Sequence, residues 1–233
     1  PLPTVGGAVS GTNVDEIQNG RYPEYWQSIV AGERNRDPDV TKHTYHWTLK
    51  LHPGHPSPDP DHPAEFSYND IEAMIRKTVP RIRILSIERI IRLDAWDSAV
   101  AVYRGVRNKR GKDHTNVEML FHGCSSDVVG VIADTQLDRS ATFGGGKNAQ
   151  AYGYGVYLAK NASYSANRAY STPDRDGTQH MLVCWTATGV TKYTQSNTTI
   201  LPLDCDSGGN RSDIFVAFRD HQACPCYVVR FKQ

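Results

Sequence analysis

Nothing in the sequence approaches the roughly 20 consecutive apolar residues of a membrane span, and its opening, residues 1–20, carries neither a basic leader nor an apolar signal core. A soluble protein without a membrane partner is expected. An excess of charge of either sign is also missing. With 26 basic and 25 acidic side chains and a formal net charge of +1, no global field favours nucleic acid, a membrane surface or an acidic partner. Cysteine is sparse: the five residues are odd in number, show no framework spacing, and Cys224-Pro225-Cys226 lacks the second pair that a zinc site needs. Reduced thiols are therefore expected, and with them an intracellular location in cytoplasm or nucleus. His43, His46, His52, His55 and His62 are numerous but match no compact ligand spacing, so no metal is expected. Internal repeats are absent. The chain opens on Pro1 rather than methionine, which is expected of a domain taken from a longer protein.

What is present is enough apolar residue, 39% of 233, to bury one substantial core. The composition breaks once, at His52–Pro63, where five prolines rule out a helix or central strand and predict a surface loop. Ser67 stands three residues before Asp70, and Ile71, Met74, Ile75 and Val79 follow at helical spacing, predicting a capped helix from about Tyr68 that ends before Pro80. Arg81–Ile91 is predicted as a strand leading into a helix that carries Trp96, Val100 and Tyr103, with Val106–His114 as a basic polar connection. In the second half, Val117–His122, Gly155–Ala159, His180–Thr186, Asp213–Phe218 and Tyr227–Phe231 are predicted strands. Ser125 or Ser126 is expected to cap one helix, and Asn161 a short one through Tyr170. Strands outnumber helices here without a regular βαβ alternation, so the fold class is α+β. Residues 1–21 are expected to be an N-terminal extension and residues 22–233 a single catalytic domain.

Three local features could carry chemistry: His122-Gly123 closing a strand, the run Tyr152-Gly153-Tyr154-Gly155-Val156-Tyr157, and Ala162-Ser163-Tyr164-Ser165. Singly, each is as readily a packing feature. In order, with Tyr170-Ser171, they resemble the NAD⁺ pocket of the poly(ADP-ribose) polymerase-like ADP-ribosyltransferases. The likeness extends through Tyr22-Pro23-Glu24-Tyr25-Trp26, Ile87-Glu88-Arg89-Ile90, Pro173-Asp174 with Gly177, and Phe215-Val216 to Asp220-His221-Gln222-Ala223. It is strongest to the branch that transfers single ADP-ribose units, and no helical autoinhibitory domain is expected before the catalytic part.

The resemblance implies that NAD⁺ is the co-substrate and that antiparallel-rich sheets flanked by helices form the pocket. It places the Gly123 backbone and the Ser165 hydroxyl on the nicotinamide amide. His122 falls on the adenosine-side ribose, Tyr157 on the nicotinamide ribose, and Tyr170 against the nicotinamide ring. Arg139 lies where it could approach the pyrophosphate. The loop 134–151, with Gly144-Gly145-Gly146-Lys147, corresponds to the family's cover over the donor. It is not a phosphate-binding P-loop, because Ala141 and Asn148 stand where glycine and serine or threonine are required. Polymer-forming members carry a glutamate where this sequence has Ile214, and strand alternation turns the adjacent Asp213 to the opposite face. A His122, Tyr157, Ile214 set implies mono-ADP-ribosylation, because isoleucine can neither accept a proton nor polarise a hydroxyl. Cys124 replaces the family's usual serine or threonine, at some expected cost to a ribose contact. The implied acceptor is a protein side chain, the enzyme's own included. Two alternatives stand beside this reading. One is an NAD⁺-binding pseudoenzyme; the other is ADP-ribosylation of nucleic acid ends, drawing on Arg104, Arg107, Lys109, Arg110 and Lys112.

Overall fold

The computed structural model describes residues 22–34, 36–59, 62, 64–139 and 150–233. The expected extension at residues 1–21, the glycine-lysine run 144–147 with Ala141 and Asn148, and positions 60, 61 and 63 of the proline loop lie outside the described residues. Among the described residues, five α-helices run α1 Glu24–Val30, α2 Tyr68–Arg76, α3 Leu93–Arg110, α4 Ser126–Thr135 and α5 Ala162–Ser165. The strands are β1 Val40–Lys42, β2 Trp47–Lys50, β3 Arg83–Ile91, β4 Val117–Cys124, β5 Val156–Ala159, β6 Gln179–Ala187, β7 Gly208–Gly209, β8 Ile214–Ala217 and β9 Ala223–Lys232. They form a nine-stranded sheet in the order β1-β2-β3-β9-β6-β4-β5-β8-β7, with every neighbouring pair antiparallel. The α+β expectation holds: helices pack on an antiparallel sheet, without parallel crossover units among the described residues.

Side-chain alternation along the central strands makes two apolar layers. Met181, Val183 and Trp185 of β6 face one way, onto Trp26, Trp96 and Tyr103 from α1 and α3. Leu182 and Cys184 face the other way, onto Ile132 and Ala133 of α4. All nine residues of β6 are buried, as the core of a sheet covered on both faces requires. The helix expected after Ser67 begins at Tyr68, and its cap is reciprocal: the Ser67 hydroxyl accepts from the Asp70 N–H while the Asp70 carboxylate accepts from the Ser67 N–H. Such a cap contributes about 1 kcal/mol.

Two expectations are corrected. Val106–His114 is not a connection: α3 continues to Arg110, because Val106 is still on the buried face, and it stops only at Gly111, whose φ of 80° a side chain would resist. A 3₁₀ turn, Lys112–His114, follows. The helix expected from Asn161 through Tyr170 ends at Ser165, and Asn161 does not cap it. Its amide instead donates to Asp213 at 3.2 Å, tying α5 to the start of β8. Ser125 does occupy the N-cap position of α4, without a side-chain capping bond.

Candidate active site

The middle of the sheet is not laddered throughout. β4 pairs with β6 along its whole length, but its pairing with β5 consists of Phe121↔Ala159 alone. Beyond that pair the two strands part, and His122 stands in the parting. Its Nδ1 lies 2.8 Å from the carbonyl oxygen of Tyr157 on β5. A carbonyl can only accept, so Nδ1 carries the proton and Nε2 keeps its lone pair. Burial holds the imidazole below its ordinary range, outweighing the raising effect of the Tyr157 carbonyl. His122 is thus a neutral ring with one nitrogen fixed by protein and the other an acceptor.

Gly123 follows, and its missing side chain is a structural requirement. A Cβ there would stand 2.3 Å from the Ser165 carbonyl oxygen, 2.9 Å from Tyr170 Cβ and 3.0 Å from Ser171 Oγ. The close approach brings β4, the end of α5 and the following turn into one corner. The Ser171 hydroxyl locks that corner by donating toward the carbonyls of Ser165, at 2.7 Å, and His180. Ser165 is buried. The rings of Tyr164 and Tyr170 stack with centroids 4.7 Å apart and hydroxyls 2.7 Å apart. Burial and the Tyr170 hydroxyl both raise the Tyr164 phenol well above its ordinary value.

Register fixes which side chains share this face. Phe121 pairs with Ala159 and Ala159 with Ile214, so Gly123, Tyr157 and Ile214, each at an even offset or directly paired, lie on one face of the sheet. Ile214 is 5% exposed. Asp213 lies off this face. Its carboxylate accepts from Asn161, and its backbone carbonyl accepts from Lys160 N–H at 2.8 Å. The Tyr157 hydroxyl donates to Gly153 O and accepts from Tyr152 N–H, each at 2.9 Å, and burial raises its phenol above the usual value.

Other expected site residues sit at the margins. Cys124 is buried in the second apolar layer, and burial pushes its thiol up to about 12, so it contributes no charge. Arg139 donates from Nη1 to the Phe218 carbonyl at 2.9 Å and pairs with Asp220 at 3.4 Å; it is held against the β8–β9 turn. Two cations at the basic end of α3 share one buried carboxylate within the chain. Arg110 donates to both carboxylate oxygens of fully buried Asp206, at 2.8 and 3.3 Å, and Lys109 and Arg219 stand 3.9 and 3.6 Å from the same group. Arg110, at least, is committed to Asp206 and not presented to a phosphate. His46 bonds Asp134, His52 pairs with Asp39, and His43 stacks on His46. Sequence reasoning named Tyr164 and Ser171 within their motifs without giving either a role, and did not reach the hydroxyl of Thr194 beneath the Tyr152 turn. Thr194 belongs to no motif, although the GYGVY run marks where to look.

Among the described residues no helix is long and apolar enough to cross a membrane. Comparison with known proteins gives a match to the family model for the poly(ADP-ribose) polymerase catalytic domain over residues 65–204, more than half of the chain. The chain is 34% identical over 184 residues to the protein mono-ADP-ribosyltransferase PARP14 of Homo sapiens, a match covering 73% of this chain and 10% of that protein. To the human protein mono-ADP-ribosyltransferase PARP11 it is 35% identical over 107 residues, 46% of this chain and 31% of the relative. A probable poly [ADP-ribose] polymerase of Dictyostelium discoideum is 26% identical over 228 residues, 93% of this chain and 59% of its own length. The chain therefore spans about a tenth of the first of these relatives and about a third of the second.

Proposed function

Because the chain belongs to the poly(ADP-ribose) polymerase catalytic domain family, we propose that residues 22–233 act as an NAD⁺-dependent transferase that adds a single ADP-ribose unit to a protein acceptor and releases nicotinamide. The observation that carries the proposal is the corner itself. Gly123, Ser165 and Tyr170 meet at atomic contact beside Tyr157, where β4 and β5 part and leave strand edge without a ladder partner. A planar carboxamide, with one donor side and one acceptor side, is the kind of group that satisfies such an edge. The stacked Tyr164 and Tyr170 offer it an aromatic wall.

When bound, NAD⁺ supplies the glycosidic bond to be broken and nicotinamide as leaving group. The chain's own residues position and shield. His122, fixed through Nδ1, offers Nε2 to a ribose hydroxyl. Tyr157, whose hydroxyl is occupied by the 152–153 turn, presents its ring rather than a free phenol. Gly123 and Ser165 orient the amide. Holding the reacting groups in place can lower a barrier by several kcal/mol without a strong base. Ile214 on the same face offers no lone pair, so the attached ribose hydroxyls are not activated for a second transfer. The relatives named as mono-ADP-ribosyltransferases support this restriction to one unit.

The test is incubation with labelled NAD⁺ and mass spectrometry of all labelled protein, beside His122→Ala and Tyr157→Ala. One ADP-ribose per modified site is expected, with labelling reduced about 100-fold in each variant. Chains of ADP-ribose would refute the argument from Ile214. Bound NAD⁺ with no label would establish the pseudoenzyme instead.

A further inference from the structure

Thr194 lies outside every motif, in the segment between β6 and β7, yet it is 5% exposed and one oxygen atom of its side chain joins two parts of the site. The hydroxyl donates to the Tyr152 carbonyl at 2.7 Å and accepts from the Gly209 N–H at 3.0 Å. Its backbone N–H donates to the Gly209 carbonyl at 3.2 Å. Tyr152 is the residue whose N–H holds the Tyr157 hydroxyl. Gly209 belongs to β7 and pairs with Phe215 of β8, the strand that begins at Ile214. The neighbouring backbone leaves room for a threonine by being glycine: a Cβ on Gly208 would meet Thr194 Oγ1 at 2.5 Å and Cγ2 at 2.8 Å. Four residues on, Thr198 closes the same seam, its carbonyl accepting from Tyr154 N–H at 2.9 Å.

We propose that Thr194 is a positioning residue for ADP-ribose transfer: its hydroxyl sets the Tyr152–Gly153 turn, and through it the Tyr157 ring, at a fixed distance from the Ile214 strand. The inference rests on the role given to Tyr157 above. The chain of contacts is short and directional. Thr194 Oγ1 fixes Tyr152, Tyr152 N–H and Gly153 O fix the Tyr157 hydroxyl, and the ring between them has its other end on β5, already paired with β8 through Tyr157↔Val216. Without the hydroxyl, a buried N–H and a carbonyl lose a shared partner, and the turn moves to regain one. Tyr157 then keeps its identity and loses its place. An error near 1 Å at a reacting centre can cost up to about 100-fold in rate.

The deciding comparison uses Thr194→Val, which keeps the shape and removes the hydroxyl, and Thr194→Ser, which keeps the hydroxyl. Single-turnover labelling with NAD⁺ should slow about tenfold in Thr194→Val, with the NAD⁺ KM within about twofold of the parent and Thr194→Ser within about threefold in rate. On a Tyr157→Phe background, where the phenol link is already cut, Thr194→Val should add less than about twofold. A Thr194→Val rate equal to the parent, a Thr194→Ser rate as low as that of Thr194→Val, or the full tenfold loss persisting beside Tyr157→Phe would overturn the proposal. Should Thr194→Val not fold, Thr194→Ala takes its place in all three comparisons. If His122→Ala and Tyr157→Ala themselves left transfer intact, the functional reading would fail rather than this inference. If they abolished transfer while Thr194→Val did not, only this inference would.

Discussion

Two polar groups on strands of the same sheet, one buried and one half-buried, are handled in opposite ways. Arg89 on β3 is 1% exposed, and the protein surrounds it. Nε donates to Glu65 at 2.8 Å, Nη1 donates to the carbonyls of Ile90 and Cys226, both at 2.8 Å, and the guanidinium lies between the rings of Trp26 and Tyr227, 4.7 and 4.8 Å from their centroids. Glu65 also accepts from the Tyr25 hydroxyl at 2.7 Å. Attraction to Glu65 keeps Arg89 charged in spite of burial. His122 on β4, by contrast, has one nitrogen used and its surroundings left unladdered. A buried cation enclosed by a carboxylate, two carbonyls and two rings, with Nη2 alone left without a hydrogen-bond partner, holds the fold together; a half-buried ring bonded through one nitrogen beside an unladdered strand edge is open to a substrate.

The largest effect should come from opening the closed group. Arg89→Ala leaves the Glu65 carboxylate buried with only Tyr25 as partner, and should cost about 3–5 kcal/mol, a fall of roughly 10 °C in Tm. Labelling per folded molecule, measured well below the new Tm, should be unchanged. Calorimetry of the two proteins checks the first part, and a loss under about 1 kcal/mol would show that the enclosure does not contribute as described. Converting both partners together, Arg89→Met with Glu65→Met, should cost much less than either alone, because no lone charge is left behind.

A smaller effect tests the open group from its other wall. Ile214→Glu introduces a carboxylate on the face shared by Tyr157 and Gly123. Placing it at a 5% exposed position should cost about 1–3 kcal/mol. The labelled product should change from single units to short chains, read as a ladder in the mass spectrum. Asp213→Asn should leave product length alone, since that carboxylate is already committed to Asn161 off this face. Single units from Ile214→Glu would show that more than one side chain separates this site from chain elongation.

Much of this contrast was legible in the sequence, and the parts that were not share a cause. Periodicity found α2, β3 and β6, because each is a local pattern repeated over several residues. Of the residues that the resemblance grouped, Gly123, Ser165 and Tyr170 meet at atomic contact, His122 reaches the Tyr157 carbonyl, and Ile214 and Asp213 divide between faces as alternation requires. What stayed hidden depends on tertiary partners. Val106 through Arg110 look polar and loop-like, but Val106 is buried and Asp206, nearly 100 residues away, draws Arg110 in as part of the helix. Asn161 has the composition of a cap, and Asp213 took its amide. Thr194 gives no signal of any kind until Tyr152 and Gly209 are seen on either side of it.

The smallest expected effect concerns acid. A histidine held neutral by burial has a folded pKa below its unfolded value near 6.5, so above that pH both states are uncharged and the group has no influence on stability. Below it the unfolded chain takes up a proton that the folded chain resists, and stability falls until the folded pKa is reached, by at most about 1.4 kcal/mol per pH unit for one group. His43 and His180 are shifted in the same direction, His43 with the charge of His46 and His180 with that of Arg230 adding to burial. The total slope is therefore shared. The share of His122 is isolated by subtraction: denaturant unfolding of the parent and of His122→Asn from pH 8 to 5 should give curves parallel down to about 6.5 and converging below it, because only the parent pays the cost of keeping that ring neutral. Carboxylates with lowered values, such as Asp94 and Asp134, titrate below pH 4 and stay outside the window. Protonation would also place a hydrogen on Nε2, the atom offered to the ribose hydroxyl, so labelling per folded molecule should hold through that interval and decline only as the pH approaches the lower, folded value. Curves that stay parallel to pH 5 would mean that His122 is as easily charged in the folded protein as in the free chain, and that the parting between β4 and β5 is wetter than its packing implies.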